Sequence, residues 1–280
     1  MTKTRNILHR FEKLDRRWIF LFIGLSVTLP LFVDLGMPPS STPPVRDFYN
    51  QIQQLPERSL VFCSMDYDPG GKAELNPMAY AVLRHMMDRN LRVVIITLWS
   101  TGPGLVESIV NDVCKNEYHR QYGVDYCYLG FKEGREAVMV RMGRSIRDTF
   151  PQDHYQTPIS ALPIMQDVQN YSSFRLLVNI SSGYPGTKEY VQYVQSRFAI
   201  ALISGASAVS VPEYSAYYSS GQLRGLLTGI TGAAEYENLL KHPGLAMIAM
   251  GGQTMGHLII VLFIVLGNVV FFINRRKASR

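Results

Sequence analysis

Two long runs of apolar residues lie near the ends of the chain, and mixed polar and apolar positions fill the region between them. The first run, WIFLFIGLSVTLPLFV, begins at Trp18 and extends through Leu35 to residue 37. The second has LIIVLFIVLGNVVFFI as its core. A helix needs about 20 apolar residues to cross the hydrocarbon layer of a membrane. Both runs therefore predict transmembrane helices, at 18–37 and at 252–273.

Basic residues flank both runs on the side away from the central region. Lys and Arg are concentrated in the two tails, 1–17 and 274–280. Cytoplasmic flanks of membrane helices carry an excess of Lys and Arg. We therefore expect a two-pass protein of the cell membrane, with both termini in the cytoplasm and the central domain outside it.

A cleaved signal peptide is the alternative interpretation of the first run, because a basic segment followed by an apolar one also describes a secretory leader. The run continues as Asp34-Leu35-Gly36-Met37-Pro38, which lacks a small-x-small cleavage site and favours an uncleaved anchor. Much of the net charge of +6 comes from the two tails. The charge therefore indicates the lipid bilayer as a partner and does not indicate nucleic acid.

Small residues on both predicted spans indicate close helix packing. Gly252 and Gly256 form a G-x-x-x-G pair, and Gly24 with Ser26 gives the first span a small face. Such positions let helix backbones approach each other. Two interpretations stay open: the spans of one chain pack as a hairpin, or they mediate self-association or contact with other membrane subunits.

The central region, 47–250, follows a Pro/Ser linker at 38–46 and alternates helical patterns with short apolar runs. Strands are predicted at 59–65, 91–98, 125–131, 174–180, 200–204 and 208–211, and helices at 47–55, 73–90, 102–115, 135–150 and 188–197. Continuously apolar strands are buried on both faces, as in parallel sheets covered by helices. The sequence thus predicts an α/β domain with a doubly wound, mostly parallel sheet between two terminal transmembrane helices.

The segment 219–240 combines leucines at helical spacing with Gly225, Gly229 and Gly232. Each glycine costs about 1 kcal/mol relative to Ala inside a helix, so close packing or a break has to compensate. We predict a small-residue helix or broken helix packed against another element, either the sheet of the same domain or a neighbouring copy. Glu235 and Glu237 are expected to face solvent.

Cysteine and histidine positions give no catalytic or metal framework. Cys63 lies in an apolar run and is predicted to be in the core. Cys114 and Cys127 either pair in an exported domain or remain free. Within its helix, His85 is predicted to be structural, and His154, beside an aspartate in a polar loop, is the best candidate for a general base.

Ligands of open parallel sheets bind beyond the carboxyl ends of the strands. Three loops at that edge combine glycines with hydroxyl or carboxylate groups: 66–71, 100–104 and 181–187. The candidate ligand-binding residues are Asp66, Asp68, Gly70, Gly71, Ser100, Thr101, Gly102, Ser181, Ser182, Gly183 and Thr187. The hydroxyl and glycine groups suit an anionic or carboxylate ligand held by free backbone N–H groups, although helix capping explains them equally well.

Asp66 and Asp68 form a D-x-D pair that could hold a divalent cation, because alternate residues of an extended segment place both carboxylates on one side. The alternative is that Asp68-Pro69-Gly70-Gly71 serves only as a turn. The segment resembles the corresponding start of membrane-bound crotonase-like proteases, but no matching nucleophile or base follows, so the resemblance implies no residue roles. Motifs of nucleotide hydrolases, dinucleotide enzymes, typical serine hydrolases and zinc proteases do not occur.

The sequence identifies neither a cofactor nor a catalytic residue. The favoured function is therefore non-catalytic: a membrane-anchored extracytoplasmic module for assembly, sensing or ligand binding within a membrane complex. Its partners would be reached through Gly252, Gly256 and the 219–240 segment. The alternative is a membrane-tethered hydrolase or transferase with its site at the carboxyl edge of the sheet.

Overall fold

The computed structural model describes residues 16–29 and 39–278, which fall into two compact units. One unit is Pro38–Met247, and the other joins Met1–Met37 with Ile248–Arg280. The predicted tail 1–17 and the outer part of the first predicted span lie almost entirely outside the described residues.

Six strands form one parallel sheet in the first unit. They are β1 (Leu60–Asp66), β2 (Arg92–Thr97), β3 (Tyr126–Phe131), β4 (Leu176–Ser181), β5 (Ala201–Ala206) and β6 (Leu226–Thr228). Their order is β3-β2-β1-β4-β5-β6, and each neighbouring pair is parallel. The predicted parallel α/β sheet is confirmed, and its topological switch point lies between β1 and β4.

Helices cover both faces of this sheet. In chain order, the α-helices of the described residues are α1 (Arg16–Thr28), α2 (Pro43–Gln53), α3 (Lys72–Asp88), α4 (Pro103–Val110), α5 (Arg135–Met142), α6 (Ile146–Thr149), α7 (Thr187–Tyr190), α8 (Ser196–Phe198), α9 (Val211–Ser219), α10 (Gly229–Leu239) and α11 (Leu245–Ala278). Of these, α1 and α11 from Ile248 onward belong to the other unit. α2, α3, α4 and α10 pack together on one face. α5, α6, α7 and α9 contribute to the core on the other. The sheet is therefore doubly wound.

Two of the predicted helices contain π-helical turns. α4 continues through Asn111–Glu117, and Val191–Gln195 joins α7 to α8. The predicted helix at 135–150 is divided into α5 and α6, because the chain turns after Met142 and Ser145 caps α6 by accepting a hydrogen bond from Asp148 N. A hydrophobic pattern locates such helices but does not show these interruptions.

Two predictions in the last third of the domain are wrong. Residues 208–211 form no strand: a 3₁₀ turn at Ala208–Ser210 leads into α9, where Pro212 suits the first helical turn. The 219–240 segment contains a strand, β6, before α10. Gly229 has a positive φ of 56° at the junction, which separates the two elements and which glycine adopts readily.

The linker prediction is wrong for its last residues. α2 already begins at Pro43, with prolines in its first two positions. Proline is favoured there because the first N–H groups of a helix have no partner within the helix. The two prolines that suggested a spacer therefore start a helix whose residues Phe48 and Ile52 are fully buried.

Glu235 and Glu237 are buried, which contradicts the expectation that they face solvent. Glu237 accepts hydrogen bonds from the backbone N–H groups of Gly244, Ala246 and Met247 at 3.1, 3.2 and 2.9 Å. Glu235 accepts two from Thr42, from its backbone N and its Oγ1, both at 2.7 Å. Through Glu235, α10 binds the segment that precedes α2. Through Glu237, it binds the segment that comes directly after α10 in the chain.

Two glycines of the 219–240 segment pack inside the domain. A Cβ at Gly225 would overlap the backbone N and Cα of Phe48 in α2, and a Cβ at Gly232 would lie 3.2 Å from the carbonyl carbon of Leu227. This is the intramolecular alternative for the 219–240 segment. Self-association through it stays a prediction.

All three cysteines are buried and free, which is the unpaired alternative for Cys114 and Cys127, and the core position of Cys63 is confirmed. The structural role predicted for His85 is also confirmed. Its ring nitrogens hydrogen-bond Tyr236 Oη at 2.7 Å and Gln53 Oε1 at 2.9 Å. Burial lowers the pKa of His85 to about 4, so the ring is neutral near pH 7.

Among the described residues, one helix is long and apolar enough to cross a membrane: α11, over Leu245–Val269. α1 is apolar over Arg17–Thr28 but is shorter. In the second unit, a Cβ at Gly252 would lie 2.9 Å from Val27 O, and one at Gly256 would lie 2.9 Å from Val27 Cγ2. The G-x-x-x-G pair therefore packs against α1 of the same chain.

Candidate functional site

A cavity of about 740 Å³ lies at the carboxyl edge of the sheet. We call it the cleft; the residues that line it are Leu98, Trp99, Ser100, Thr101, Phe131, Glu133, Gly134, Arg135, Glu136, Ala137, Tyr184 and Pro185. They come from the loops after β2, β3 and β4. Because parallel strands end at the same edge, three loops that are distant in sequence form the walls of one cleft.

Hydrogen bonds and a ring contact hold these three loops together. Trp99 Nε1 donates to Pro185 O at 2.8 Å, joining the loops after β2 and β4. Tyr184 Oη donates to the two carboxylate oxygens of Glu136 at 2.8 and 2.7 Å, joining the loops after β4 and β3. The guanidinium of Arg135 lies 5.0 Å from the centre of the Tyr184 ring. The walls of the cleft are therefore formed in advance of any ligand.

The loop after β2 is also fixed at its base. Leu98 N donates to Asp66 Oδ1 at 2.7 Å, and Trp99 N donates to Thr97 Oγ1 at 3.2 Å. Gly102 closes the turn, where a Cβ would lie only 2.6 Å from Thr97 Oγ1. These contacts set the position of Trp99 in the wall.

Charges of both signs line the cleft. Glu133, Arg135 and Glu136 follow β3, and Gly134 and Arg135 have positive φ values of 124° and 48°. Hydrogen bonds from its own backbone N–H and from Tyr184 lower the pKa of Glu136, so this carboxylate is ionised near pH 7. The same contact with Glu136 raises the pKa of Tyr184, which keeps the phenol protonated.

A buried polar network lies inside the sheet, next to these loops. Its members are Ser64, Asp66, Asn179, Ser181, Thr187 and Ser204, none of which has exposed surface. Asp66 Oδ2 accepts from Ser64 Oγ at 2.6 Å and from Asn179 Nδ2 at 2.8 Å. Asn179 Oδ1 accepts from Ser181 Oγ at 2.9 Å and from Thr187 Oγ1 at 2.8 Å. Thr187 Oγ1 also lies 2.6 Å from Ser204 Oγ.

Burial dominates the electrostatics of this network. It raises the pKa of Asp66 to about 7, although the hydrogen bonds from Ser64, Leu98 and Asn179 act in the opposite direction. Each carboxylate oxygen already accepts from at least one donor. Asp66 therefore ties β1 to the loop after β2 and to β4.

The structure distributes the predicted site residues over three environments. Ser100 and Thr101 line the cleft. Ser181 and Thr187 lie in the buried network, and a Cβ at Gly183 would be 3.8 Å from the Trp99 ring. Asp66 also lies in this network, and Gly102 lies at the turn after β2. Asp68, Gly70 and Gly71 lie at the turn after β1, where an added Cβ would be 3.1 Å from Asp68 Oδ1 at Gly70 and 3.2 Å from Ser182 Cβ at Gly71.

The D-x-D cation site finds no support in this geometry. A cation at Asp66 would have to displace three hydrogen-bond donors from a fully buried carboxylate. Asp68 Oδ1 accepts from Gly71 N at 3.1 Å, which is the turn alternative. The described residues contain no cluster of three or more His, Cys, Asp or Glu suited to a metal ion.

The candidate base His154 lies outside the cleft lining. Its Nε2 is 3.5 Å from Glu107 Oε2, and its ring packs against Tyr128 with ring centres 4.8 Å apart. The neighbouring Asp153 accepts hydrogen bonds from Tyr122 Oη and from two backbone N–H groups. These contacts are typical of a structural role, in which His154 and Asp153 hold their loop against the end of β3.

Sequence reasoning missed the residues that give the cleft its charge and its aromatic surface: Trp99, Glu133, Arg135, Glu136 and Tyr184. The signal was present, because Lys132-Glu133-Gly134-Arg135-Glu136 directly follows the third predicted strand. The rule that selected the other loops applies there as well. The polar residues Ser64 and Asn179, within otherwise apolar strands, similarly indicated an internal network.

No protein-family model matches the chain, and no curated protein matches it. Among solved structures, the chain is similar to a trehalose-6-phosphate synthase, OtsA, with 13% sequence identity and a TM-score of 0.34. The match covers 90% of this chain and 49% of that one, so the chain spans about half the length of the synthase. This likeness concerns the α/β fold alone.

Proposed function

We propose that this protein is a membrane-anchored extracytoplasmic α/β domain that binds a small molecule in the cleft, as a sensing or ligand-binding subunit of a membrane complex. The observation that carries the proposal is the cleft, whose walls are joined to one another by hydrogen bonds. Its volume of about 740 Å³ lies within the range of roughly 300–1,000 Å³ typical of small-molecule sites. Its position beyond the strand ends is the usual ligand position in parallel sheets.

The composition of the cleft favours binding over catalysis. The lining residues include neither histidine nor cysteine. Ser100 and Thr101 supply hydroxyls, but among the described residues no hydrogen bond joins either hydroxyl to Glu133 or Glu136, the carboxylates of the lining, whereas nucleophilic catalysis requires a base within hydrogen-bond reach. The alternative, a tethered hydrolase or transferase using Asp66 and Asp68, has less support because Asp66 has no exposed surface.

A two-helix anchor accounts for the second unit. Side chains of α1 such as Trp18, Phe20 and Phe22 are 57%, 69% and 51% exposed. Exposing such side chains to water is unfavourable by roughly 25 cal/mol per Å² of apolar surface, whereas lipid removes that cost. Packing of Gly252 and Gly256 against Val27 favours a hairpin of α1 and α11 across the membrane. The basic tails then lie in the cytoplasm.

Ligand retention tests the proposal. The full chain in detergent is dialysed against a pooled set of small metabolites, and bound compounds are identified by mass spectrometry. We expect at least one compound to be retained, with retention reduced about tenfold or more in Tyr184→Ala, because that variant removes one aromatic wall and its link to Glu136.

Tyr155→Ala is the matched control, since Tyr155 has a similar exposure of 44% and lies outside the cleft lining. It should retain the same compound to the same extent as the unaltered protein. Retention of no compound, or equal retention by Tyr184→Ala, would contradict ligand binding in the cleft.

A further inference from the structure

We infer that the ligand of the cleft is a neutral, hydroxyl-rich ring compound of the carbohydrate class. The inference rests on the proposed function and specifies the chemistry of the same site. Three properties of the lining carry it: aromatic rings held in place, polar groups that both donate and accept hydrogen bonds, and a charge pattern unsuited to an ionic ligand.

Two aromatic rings line the cleft, Trp99 from the loop after β2 and Tyr184 from the loop after β4. Trp99 and Tyr184 have their polar atoms engaged with Pro185 O and with Glu136, so hydrogen bonding fixes the position of each ring. Tyr184 is nevertheless 50% exposed. Fixed aromatic surface of this kind packs against apolar C–H groups, which sugar rings present on their faces.

The polar side chains of the lining can form hydrogen bonds with the hydroxyl groups at the edge of a sugar ring. Ser100 and Thr101 are exposed, and a hydroxyl is both a donor and an acceptor. Glu133 is exposed as well and supplies carboxylate acceptors for ligand hydroxyls. A sugar hydroxyl donates and accepts in the same way, so these groups can satisfy several hydroxyls without any charge on the ligand.

An anionic ligand meets repulsion in this cleft. The lining carries two carboxylates, Glu133 and Glu136, against one cation, Arg135. The carboxylate of Glu136 accepts a hydrogen bond from its own backbone N–H at the start of α5, so this helix end is already occupied by a negative charge. A phosphate or nucleotide would therefore be placed beside like charges.

A cationic ligand is disfavoured by Arg135. A quaternary ammonium group binds over the face of an aromatic ring within about 6 Å of the ring centre. The guanidinium of Arg135 already occupies such a position, 5.0 Å from the centre of the Tyr184 ring. The class of ligand whose groups match the lining of the cleft is therefore neutral and polyhydroxylated.

The two tryptophans of the chain make a direct test possible. Trp18 lies in α1 and Trp99 in the cleft, so the full chain carrying Trp18→Phe reports on the cleft through the fluorescence of Trp99 alone. The probes are glucose and maltose as neutral sugars, ADP and inorganic phosphate as anions, and choline as a cation. We expect a saturable change in Trp99 emission with a sugar and with neither anion nor choline.

Three variants in this background locate the binding. Tyr184→Ala should weaken sugar binding by about tenfold or more, and Glu133→Gln by a factor of roughly three to ten, because each removes a direct contact. Glu57→Gln is the matched control: Glu57 is an exposed carboxylate outside the cleft lining, and its loss should change nothing.

The outcomes separate the inference from the proposed function. A saturable response to ADP, phosphate or choline that Tyr184→Ala removes, with none to the sugars, overturns the carbohydrate class and leaves binding in the cleft intact. A sugar response that persists in Tyr184→Ala also overturns the inference. Absence of any response, together with no retained compound in dialysis, overturns both.

Discussion

Asp66 is a single residue on which much of the cleft depends. It has no exposed surface, accepts hydrogen bonds from three groups, and has a pKa raised by burial to about 7, against an ordinary value of about 3.9. Since its pKa is higher in the folded state, the folded protein holds a proton that the unfolded chain releases. The resulting stabilisation is complete below about pH 4 and is lost as the pH rises through about 7.

We therefore expect the free energy of unfolding to fall by about 1 kcal/mol between pH 6 and pH 8 on account of Asp66, which lowers Tm by about 2–4 °C in a domain of this size. Thermal unfolding of the full chain at both pH values measures this difference. Asp66→Asn loses an acceptor and should be less stable at pH 6 by about 1–3 kcal/mol. The Tm of this variant should decrease less between pH 6 and pH 8 than the Tm of the unaltered protein. An equal decrease in Tm would contradict a raised pKa of Asp66 as its cause.

Glu237 has a comparable structural role near the C-terminal end of α10. Glu237→Ala leaves the N–H groups of Gly244, Ala246 and Met247 without their acceptor, and that of Ala246 is buried while the other two are partly buried. We expect a loss of about 2–4 kcal/mol in the free energy of unfolding. Glu57→Ala, at an exposed carboxylate, should change it by less than about 0.5 kcal/mol. Equal stability of the two variants in denaturant titration would rule out this capping role.

At the scale of elements, the sequence predicts most of the sheet because the first five strands are short, apolar and buried on both faces. β6 escapes prediction since Leu226–Thr228 has only three residues, and its leucines also fit a helical spacing. The burial of Glu235 and Glu237 depends on chain segments that return to α10 from elsewhere, which no local pattern contains. The loop after β3 could have been predicted from the edge rule, but whether Ser181 or Ser100 reaches the cleft depends on the packing of the folded sheet.

Two glycine substitutions test the packing between elements. A Cβ at position 225 overlaps the Phe48 backbone, so Gly225→Ala should cost about 2–3 kcal/mol by forcing α2 away from β6. Gly104 lies within α4 with no atom within 4 Å of an added Cβ, and Gly104→Ala should stabilise by about 0.5–1 kcal/mol. Unfolding in denaturant compares the two variants; similar effects from both would contradict the contact of α2 with β6.

At the scale of the whole molecule, one chain combines a domain that carries a preformed cleft with a unit in which α1 and α11 pack through Val27, Gly252 and Gly256. The charge of the tails predicts which side of the membrane holds the domain. A sensing or ligand-binding role outside the cytoplasm requires that orientation, because the cleft must meet its ligand there.

The orientation of the domain is tested most directly by labelling single introduced cysteines in intact cells with a membrane-impermeant maleimide. The three native cysteines are buried and should not react in the folded protein. We predict that Glu57→Cys is labelled in intact cells and that Ser279→Cys is labelled only after the membrane is permeabilised. Labelling of Ser279→Cys in intact cells, with Glu57→Cys protected until permeabilisation, would contradict an extracytoplasmic ligand-binding domain.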